Sequence, residues 1–217
     1  MKSRSTFPLL KIGTGCSSKI ALEKNIFLFL DCAYHGLGDS LDEDIKPLRY
    51  LFEKHQQLLV GYSFSKNFGL YGDRTGLFIA LDKEKSSLEK MRTNICEQIR
   101  TVYSVPPLAG SRVVKTILSS PKLKTIWHQE LADIRARLKN IRQMFVDELK
   151  QAFPDKDYDY ILSDKGLFSL LGFTKEQVLE LRDKEGIYLT NNSRVNIAAL
   201  SKNNIPDVVK GIKNVVS

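Results

Sequence analysis

The stretch Ser63-Phe64-Ser65-Lys66-Asn67-Phe68-Gly69-Leu70-Tyr71-Gly72-Asp73-Arg74-Thr75-Gly76 holds more chemistry than any other part of this 217-residue chain. The apolar run Leu58-Leu59-Val60 leads into it, and Gly76-Leu77-Phe78-Ile79-Ala80 follows. It therefore reads as strand, loop, strand. The loop gathers one amine, two serine hydroxyls and, eight residues after the lysine, a guanidinium. A lysine amine can form a Schiff base with an aldehyde, and hydroxyls and a guanidinium can hold a phosphate. The set suits a cofactor carrying both groups. The alternative reading is a surface loop with a solvated lysine.

This segment resembles the pyridoxal-phosphate lysine motif of class I aminotransferases, in particular their aspartate/aromatic branch. The resemblance implies that Lys66 is the Schiff-base lysine and the catalytic base. It implies too that Arg74 and Ser63 grip the cofactor phosphate, with Ser65 a secondary candidate.

A second constellation lies upstream. Ile26-Phe27-Leu28-Phe29-Leu30 is apolar throughout and runs into Asp31-Cys32-Ala33-Tyr34-His35-Gly36. Such a run suits a strand buried on both faces, as in a parallel sheet. Ligands in open α/β sheets sit beyond the carboxyl ends of strands, where Asp31 is expected. A carboxylate there can keep a pyridine nitrogen protonated, which preserves the ring as an electron sink. By its likeness to the family pattern Asp-x-Ala-Tyr-x-Gly, Asp31 takes that role, and Tyr34 reaches the ring hydroxyl. Taken alone, Asp31 would equally read as a strand-ending residue that caps the next turn.

Two further segments bear on substrate. Asn192-Ser193-Arg194-Val195-Asn196-Ile197-Ala198 resembles the family's Gly-Arg-Val/Ile-Asn-Val/Ile-Ala, with Ser193 in place of glycine. The family's arginine binds the substrate α-carboxylate, so Arg194 is the candidate; a bidentate pair fixes both position and plane. Phe168 matches an aromatic bordering the substrate pocket, or is an ordinary core phenylalanine. Arg100 precedes Ser104-Val105-Pro106-Pro107, where the family usually has Ser-Asn-Pro-Pro. In the aspartate branch an arginine at this place reaches a dicarboxylate's side chain from the neighbouring subunit. The alternative is a helix-surface arginine paired to Glu97.

Strands alternate with helices, an α/β pattern. Ser86-Ser87-Leu88-Glu89 suggests a capping box opening a helix with the stripe Leu88, Met91, Ile95, Ile99, Val102. A short helix is expected over Ala109–Ser119. Pro121 suits the first position of a long helix, whose stripe runs from Leu123 through Ile126, Trp127, Leu131 and Phe145 to Leu149. Beyond Pro154, Thr174 and Gln177 suggest another capping box, with Gly186 ending that helix. Ile187-Tyr188-Leu189-Thr190 reads as a strand, and Pro206 opens a terminal helix. The expected organisation is a partial large cofactor-binding domain over residues 1–133, with residues 1–19 unplaced, and a small α+β domain over 134–217. A helix of about residues 121–150 joins them. By resemblance this is the C-terminal part of the fold type I pyridoxal-phosphate transferases.

The formal charge is +8, which raises nucleic-acid binding as a class. The basic residues are interspersed with acidic ones, and no basic stripe with interleaved aromatics occurs, so that class is not favoured. Apolar runs are too short to span a bilayer. Met1-Lys2-Ser3-Arg4 is basic, but Phe7-Pro8-Leu9-Leu10 is too short for a signal-peptide core. Cys16, Cys32 and Cys96 share no metal spacing and read as free thiols in a reducing, cytoplasmic setting.

The resemblance covers the chain from about Ile20 and corresponds to the family's C-terminal half. The family's Asn-Pro-Thr-Gly segment, phosphate-cupping Ser/Gly/Thr turn, ring-stacking aromatic and the asparagine beside Tyr34 have no counterpart here. The remaining strands are expected to expose a long apolar edge. The resemblance implies pyridoxal 5'-phosphate as cofactor and amino acids with 2-oxo acids as substrates. It also implies a homodimer, or a complementing N-terminal half as partner. The competing reading is a truncated, catalytically incompetent fragment or an interaction protein of the same family.

Overall fold

Strand β1 (Leu28–Cys32) and strand β2 (Leu58–Ser63) lie parallel, with Leu28 opposite Leu58 and Cys32 opposite Tyr62. Helix α2 (Leu41–Lys54) forms the crossover between them. Strand β3 (Gly76–Leu81) returns antiparallel to β2, with Leu58 opposite Leu81 and Ser63 opposite Gly76. The computed structural model describes residues 13–216; the amino-terminal residues 1–10, read above for charge and hydropathy, lie outside that range. Two units divide the chain, with the boundary between Leu131 and Ala132.

The first unit holds α1 (Gly13–Glu23), this three-stranded sheet with α2, α3 (Lys85–Tyr103), α4 (Ala109–Ser119) and the start of α5 (Pro121–Ala152). Side chains alternate across a strand. Leu28, Leu30, Leu58, Val60, Ile79 and Leu81 therefore share one face, where they pack with Leu48, Leu51 and Phe52 of α2. On the other face Phe29 is 66% and Phe78 49% exposed. The expectation that β1 is buried on both faces is thus corrected: among the described residues, nothing packs over the Phe29 side of β1.

Ser40 caps α2 by accepting the Glu43 N–H at 3.0 Å, and Asp42, Glu43 and Asp44 crowd its first turn, where the helix dipole favours negative charge. The box expected at Ser86 does not form. Helix α3 starts earlier, with Glu84 at its N-cap and no side-chain cap bond, because Asp82 accepts the Glu84 N–H at 2.8 Å and turns the chain there. No residue of α3 is fully buried, and Val102, at the end of its apolar stripe, is 77% exposed. Helix α4 matches the expected span, and Pro121 opens α5.

The second unit contains the rest of α5, α6 (Tyr160–Ser163), β4 (Phe168–Leu170), α7 (Lys175–Glu185), β5 (Arg194–Asn196), a 3-10 turn at Ile197–Ala199 and α8 (Ile205–Val216). Leu138, Phe145 and Leu149 of α5 form its core with Leu181, Ile197, Val209 and Ile212. The Thr174–Gln177 capping box is formed, and Gly186 ends α7 with φ +64°. Residues 187–190 are not a strand. Ile187 and Leu189 pack against the core while Tyr188 is 78% exposed, so the alternation of a strand is present. Among the described residues no neighbouring strand completes a ladder there; β4 pairs with β5 instead, with Ser169 opposite Val195.

Candidate active site

Asp31 lies near the carboxyl end of β1, opposite Gly61. Its side chain therefore shares a sheet face with Ser63, two residues beyond Gly61. Both sit at the strand ends where parallel sheets receive ligands. Asp31 is exposed, which leaves its carboxylate accessible.

The loop after β1 carries Tyr34, and Asp44 shapes it from inside α2. The Asp44 carboxylate accepts the N–H groups of Gly36 at 2.9 Å, Gly38 at 2.9 Å and Asp39 at 2.8 Å. Gly36 has φ +87°, and a Cβ there would come within 2.8 Å of Leu41 Cδ2. The positive φ is what favours glycine here, since the leucine methyl is the movable end of a side chain.

Lys66 follows β2, and its Nζ lies 4.9 Å from the centre of the Tyr34 ring. Residues from the two constellations read separately in the sequence are thus in contact. The Ser63 hydroxyl donates to Ser65 Oγ at 3.0 Å and accepts the Ser65 N–H at 3.1 Å. Ser65 is buried and Ser63 half-buried, so Ser63 is the more accessible of the pair. Arg74 is exposed, with φ +49°, an uncommon conformation for a bulky residue. It donates to the Tyr71 carbonyl at 3.0 Å. The adjoining Asp73 and Thr75 lean on α4, where a Cβ added to Gly110 would overlap the Thr75 hydroxyl.

Two ionisable groups flank this site. Burial, followed by the charges of Asp31 and Asp44, pushes the Cys32 thiol up to about 11. Burial pushes the Tyr62 phenol up to about 12, against a lowering hydrogen bond from Asn67. Both groups therefore stay protonated at neutral pH.

Arg100 stands in the last turn of α3, exposed. Among the described residues it forms no ion pair with Glu97, whose carbonyl instead accepts the Thr101 hydroxyl at 3.0 Å. Arg100 is not brought into contact with the other candidates.

In the second unit, the Arg194 guanidinium lies 4.5 Å from the centre of the Phe168 ring, held there by pairing of Leu170 with Arg194 across β4 and β5. Arg194 Nε is buried without a hydrogen-bond partner. Ser193 adopts φ +65°, the left-handed conformation natural to glycine. It is fully buried, and its Oγ accepts the Phe173 N–H at 3.0 Å. The departure from glycine at this position is thus absorbed without losing the turn.

Sequence reading missed Asp44, His35, Tyr62 and Asn67. The spacing Ser40 to Glu43 signals the start of α2 and so could have drawn attention to Asp44. The other three are polar residues tied together by two bonds that span 27 and 32 residues, beyond the reach of any local pattern.

A family model described as aminotransferase class I and II matches residues 18–212. Aspartate aminotransferase of Escherichia coli K12 is 37% identical over 195 residues, covering 90% of this chain and 49% of that protein. An aromatic-amino-acid aminotransferase of Paracoccus denitrificans is 35% identical over 183 residues, covering 84% of this chain and 46% of that one. Among solved structures, the aromatic-amino-acid aminotransferase of Burkholderia pseudomallei, covalently bound to pyridoxal phosphate, is similar with a TM-score of 0.88 at 33% identity. It covers 96% of this chain and 52% of that one. The chain spans about half the length of the curated relatives it matches. A model match over nearly the whole chain, on an α/β fold shared with solved aminotransferases, places this protein in the class I and II aminotransferase family.

Proposed function

We propose that this chain carries the lysine-bearing half of a pyridoxal-phosphate aminotransferase, which moves an amino group between an amino acid and a 2-oxo acid. The observation that carries this reading is the contact of Lys66 Nζ with the Tyr34 ring, beside Asp31 and Ser63 at the carboxyl ends of β1 and β2. The donor set fits the cofactor: an amine for the aldehyde, Ser63, Ser65 and Arg74 for the phosphate, Asp31 for the pyridine nitrogen and Tyr34 for the ring hydroxyl. When bound, pyridoxal phosphate supplies an electron sink for the pair released as the substrate Cα–H bond breaks. Lys66 Nζ takes that proton and later returns one, as general base and then general acid. Asp31 keeps its partner nitrogen protonated by charge pairing.

Arg194 is the group for the α-carboxylate, and its unpartnered Nε is a donor such an anion would satisfy. Phe168, stacked on that guanidinium, limits its orientation. Arg100, free of Glu97, is available to a second carboxylate, which favours dicarboxylic over aromatic substrates. Homodimerisation and a cytoplasmic setting complete the reading; the latter accords with the free Cys16, Cys32 and Cys96.

Borohydride reduction with pyridoxal phosphate, followed by peptide mass mapping, should place the label on Lys66. Labelling only of other lysines in a folded sample defeats the assignment.

A second reading is supported by the exposed sheet face at Phe29 and Phe78 and by the half-length coverage of relatives: the catalytic unit is completed by polypeptide homologous to the family's N-terminal half. Residues 1–217 alone should then transaminate aspartate, glutamate or tyrosine barely above background in a coupled dehydrogenase assay, and adding that half should restore turnover. Efficient turnover by the chain alone defeats this second reading.

A further inference from the structure

Tyr62 lies on the sheet face opposite to Ser63, and its hydroxyl joins two loops. His35 Nε2 is 2.7 Å from the Leu41 carbonyl oxygen; a carbonyl only accepts, so Nε2 carries the imidazole proton. In the neutral ring, Nδ1 then accepts the Tyr62 hydroxyl proton across 2.6 Å. The Tyr62 oxygen in turn accepts from Asn67 Nδ2 at 3.0 Å. The second Asn67 amide proton goes to the His35 carbonyl at 3.1 Å, which also fixes which way the amide faces. Every donor in this chain meets an acceptor in one self-consistent direction. Asn67 is only 3% exposed; its main-chain carbonyl accepts the Trp127 indole N–H at 2.7 Å, while its side-chain Oδ1 is buried without a hydrogen-bond partner. Phe68 stacks on the Trp127 ring at 4.5 Å.

The placement gives the network its meaning. His35 adjoins Tyr34, and Asn67 adjoins Lys66. Each partner of Tyr62 is thus the next residue after a candidate cofactor contact, and each is held by side-chain and main-chain bonds together.

We infer that the Asn67–Tyr62–His35 chain is a positioning device that couples the Lys66 loop to the Tyr34 loop, so that presentation of the Lys66 amine to an aldehyde depends on the Tyr62 hydroxyl. The consequence for Lys66 rests on the proposed reading of that residue; the coupling between the loops does not.

Tyr62→Phe removes the hydroxyl and keeps the ring, including its edge contact with Phe64 at 5.1 Å. Ile79→Val is the control: Ile79 packs in the same sheet core and, having no polar side-chain atom, contributes no hydrogen bond to the polar chain. The full chain is first compared without cofactor, by amide exchange and by emission of Trp127, its single tryptophan. Tyr62→Phe should speed exchange at both 35–37 and 67–69 and shift the Trp127 emission, while Ile79→Val does neither. Unchanged exchange in either loop overturns the coupling.

With pyridoxal phosphate and borohydride, the share of label on Lys66 relative to exposed lysines should fall by about tenfold in Tyr62→Phe, the equivalent of about one hydrogen bond. An equal fall in Ile79→Val would mean general loosening and overturn the positioning role, as would an unchanged share in Tyr62→Phe. Absence of label on Lys66 in the unsubstituted chain defeats the Lys66 assignment and with it the amine-presentation clause, and the exchange comparison then decides the coupling alone.

Discussion

Replacing Asp44 by alanine tests how the Tyr34 loop is held. Three backbone N–H groups converge on this carboxylate. That of Gly36 is buried, and leaving it unpaired costs about 1–3 kcal/mol. Those of Gly38 and Asp39 are part-exposed, so water replaces the lost acceptor at about 0.5–1.5 kcal/mol each. Alanine gains about 0.5 kcal/mol of helix propensity over aspartate, offset by loss of a first-turn charge–dipole interaction of similar size. The sum is a destabilisation of about 2–6 kcal/mol, a large part of the stability of an ordinary domain. Asp44→Asn retains one acceptor oxygen but turns an NH2 group toward backbone donors, and should cost about half as much. Urea unfolding followed by Trp127 emission reports on this unit specifically. A midpoint shift equivalent to less than about 0.5 kcal/mol for Asp44→Ala, the range of an ordinary surface substitution, would refute the argument that this carboxylate organises the loop.

Three other perturbations probe separate features. Ser193→Gly relieves about 1 kcal/mol of left-handed strain but removes an acceptor worth about 1 kcal/mol, for a net change near zero, whereas Ser193→Ala keeps the strain and loses the acceptor, so the alanine variant should be less stable by about 1 kcal/mol in urea unfolding followed by circular dichroism. Alkaline pH should destabilise the first unit: Cys32 and Tyr62 have folded-state pKa values of about 11 and about 12, above their ordinary values of about 8.5 and 10. The folded state then holds more protons than the unfolded state, and stability falls as pH rises through that window. Urea midpoints measured across it should decline, with the upper part of the decline flattened in Tyr62→Phe. Gly110→Ala must push Thr75 aside and disturb Arg74, so cofactor labelling of Lys66 should require about tenfold more pyridoxal phosphate, as expected for losing one phosphate contact; an unchanged requirement would show that Arg74 is not a phosphate ligand.

What could be read from the sequence was local. The Lys66 loop, the Thr174–Gln177 box and the Pro121 helix start each occupy a few consecutive residues, and each formed where local chemistry indicates. The misreadings concern neighbours. Residues 187–190 have the alternation of a strand, but a strand exists only beside another. The run before Asp31 has the composition of a doubly buried strand, yet burial depends on what lies over it, and here one face is bare. At Ser86 a good capping pattern lost to Asp82 and Glu84 a few residues earlier, since a helix end is a competition among adjacent signals. The Asn67–Tyr62–His35 chain left no trace in any window, because its bonds to His35 exist only after β1 and β2 have paired.

Among the described residues, the sheet of the first unit, in the order β1-β2-β3, ends on both sides in strands with an unpaired edge, beneath a face that shows Phe29 and Phe78. Open edges and apolar faces recruit whatever strand arrives first. Covering by polypeptide tethered to the same chain proceeds at a rate independent of concentration, whereas self-association quickens with every added copy. Yield and solubility of this chain will therefore be governed by expression level, so that dilution is the condition under which it stays soluble.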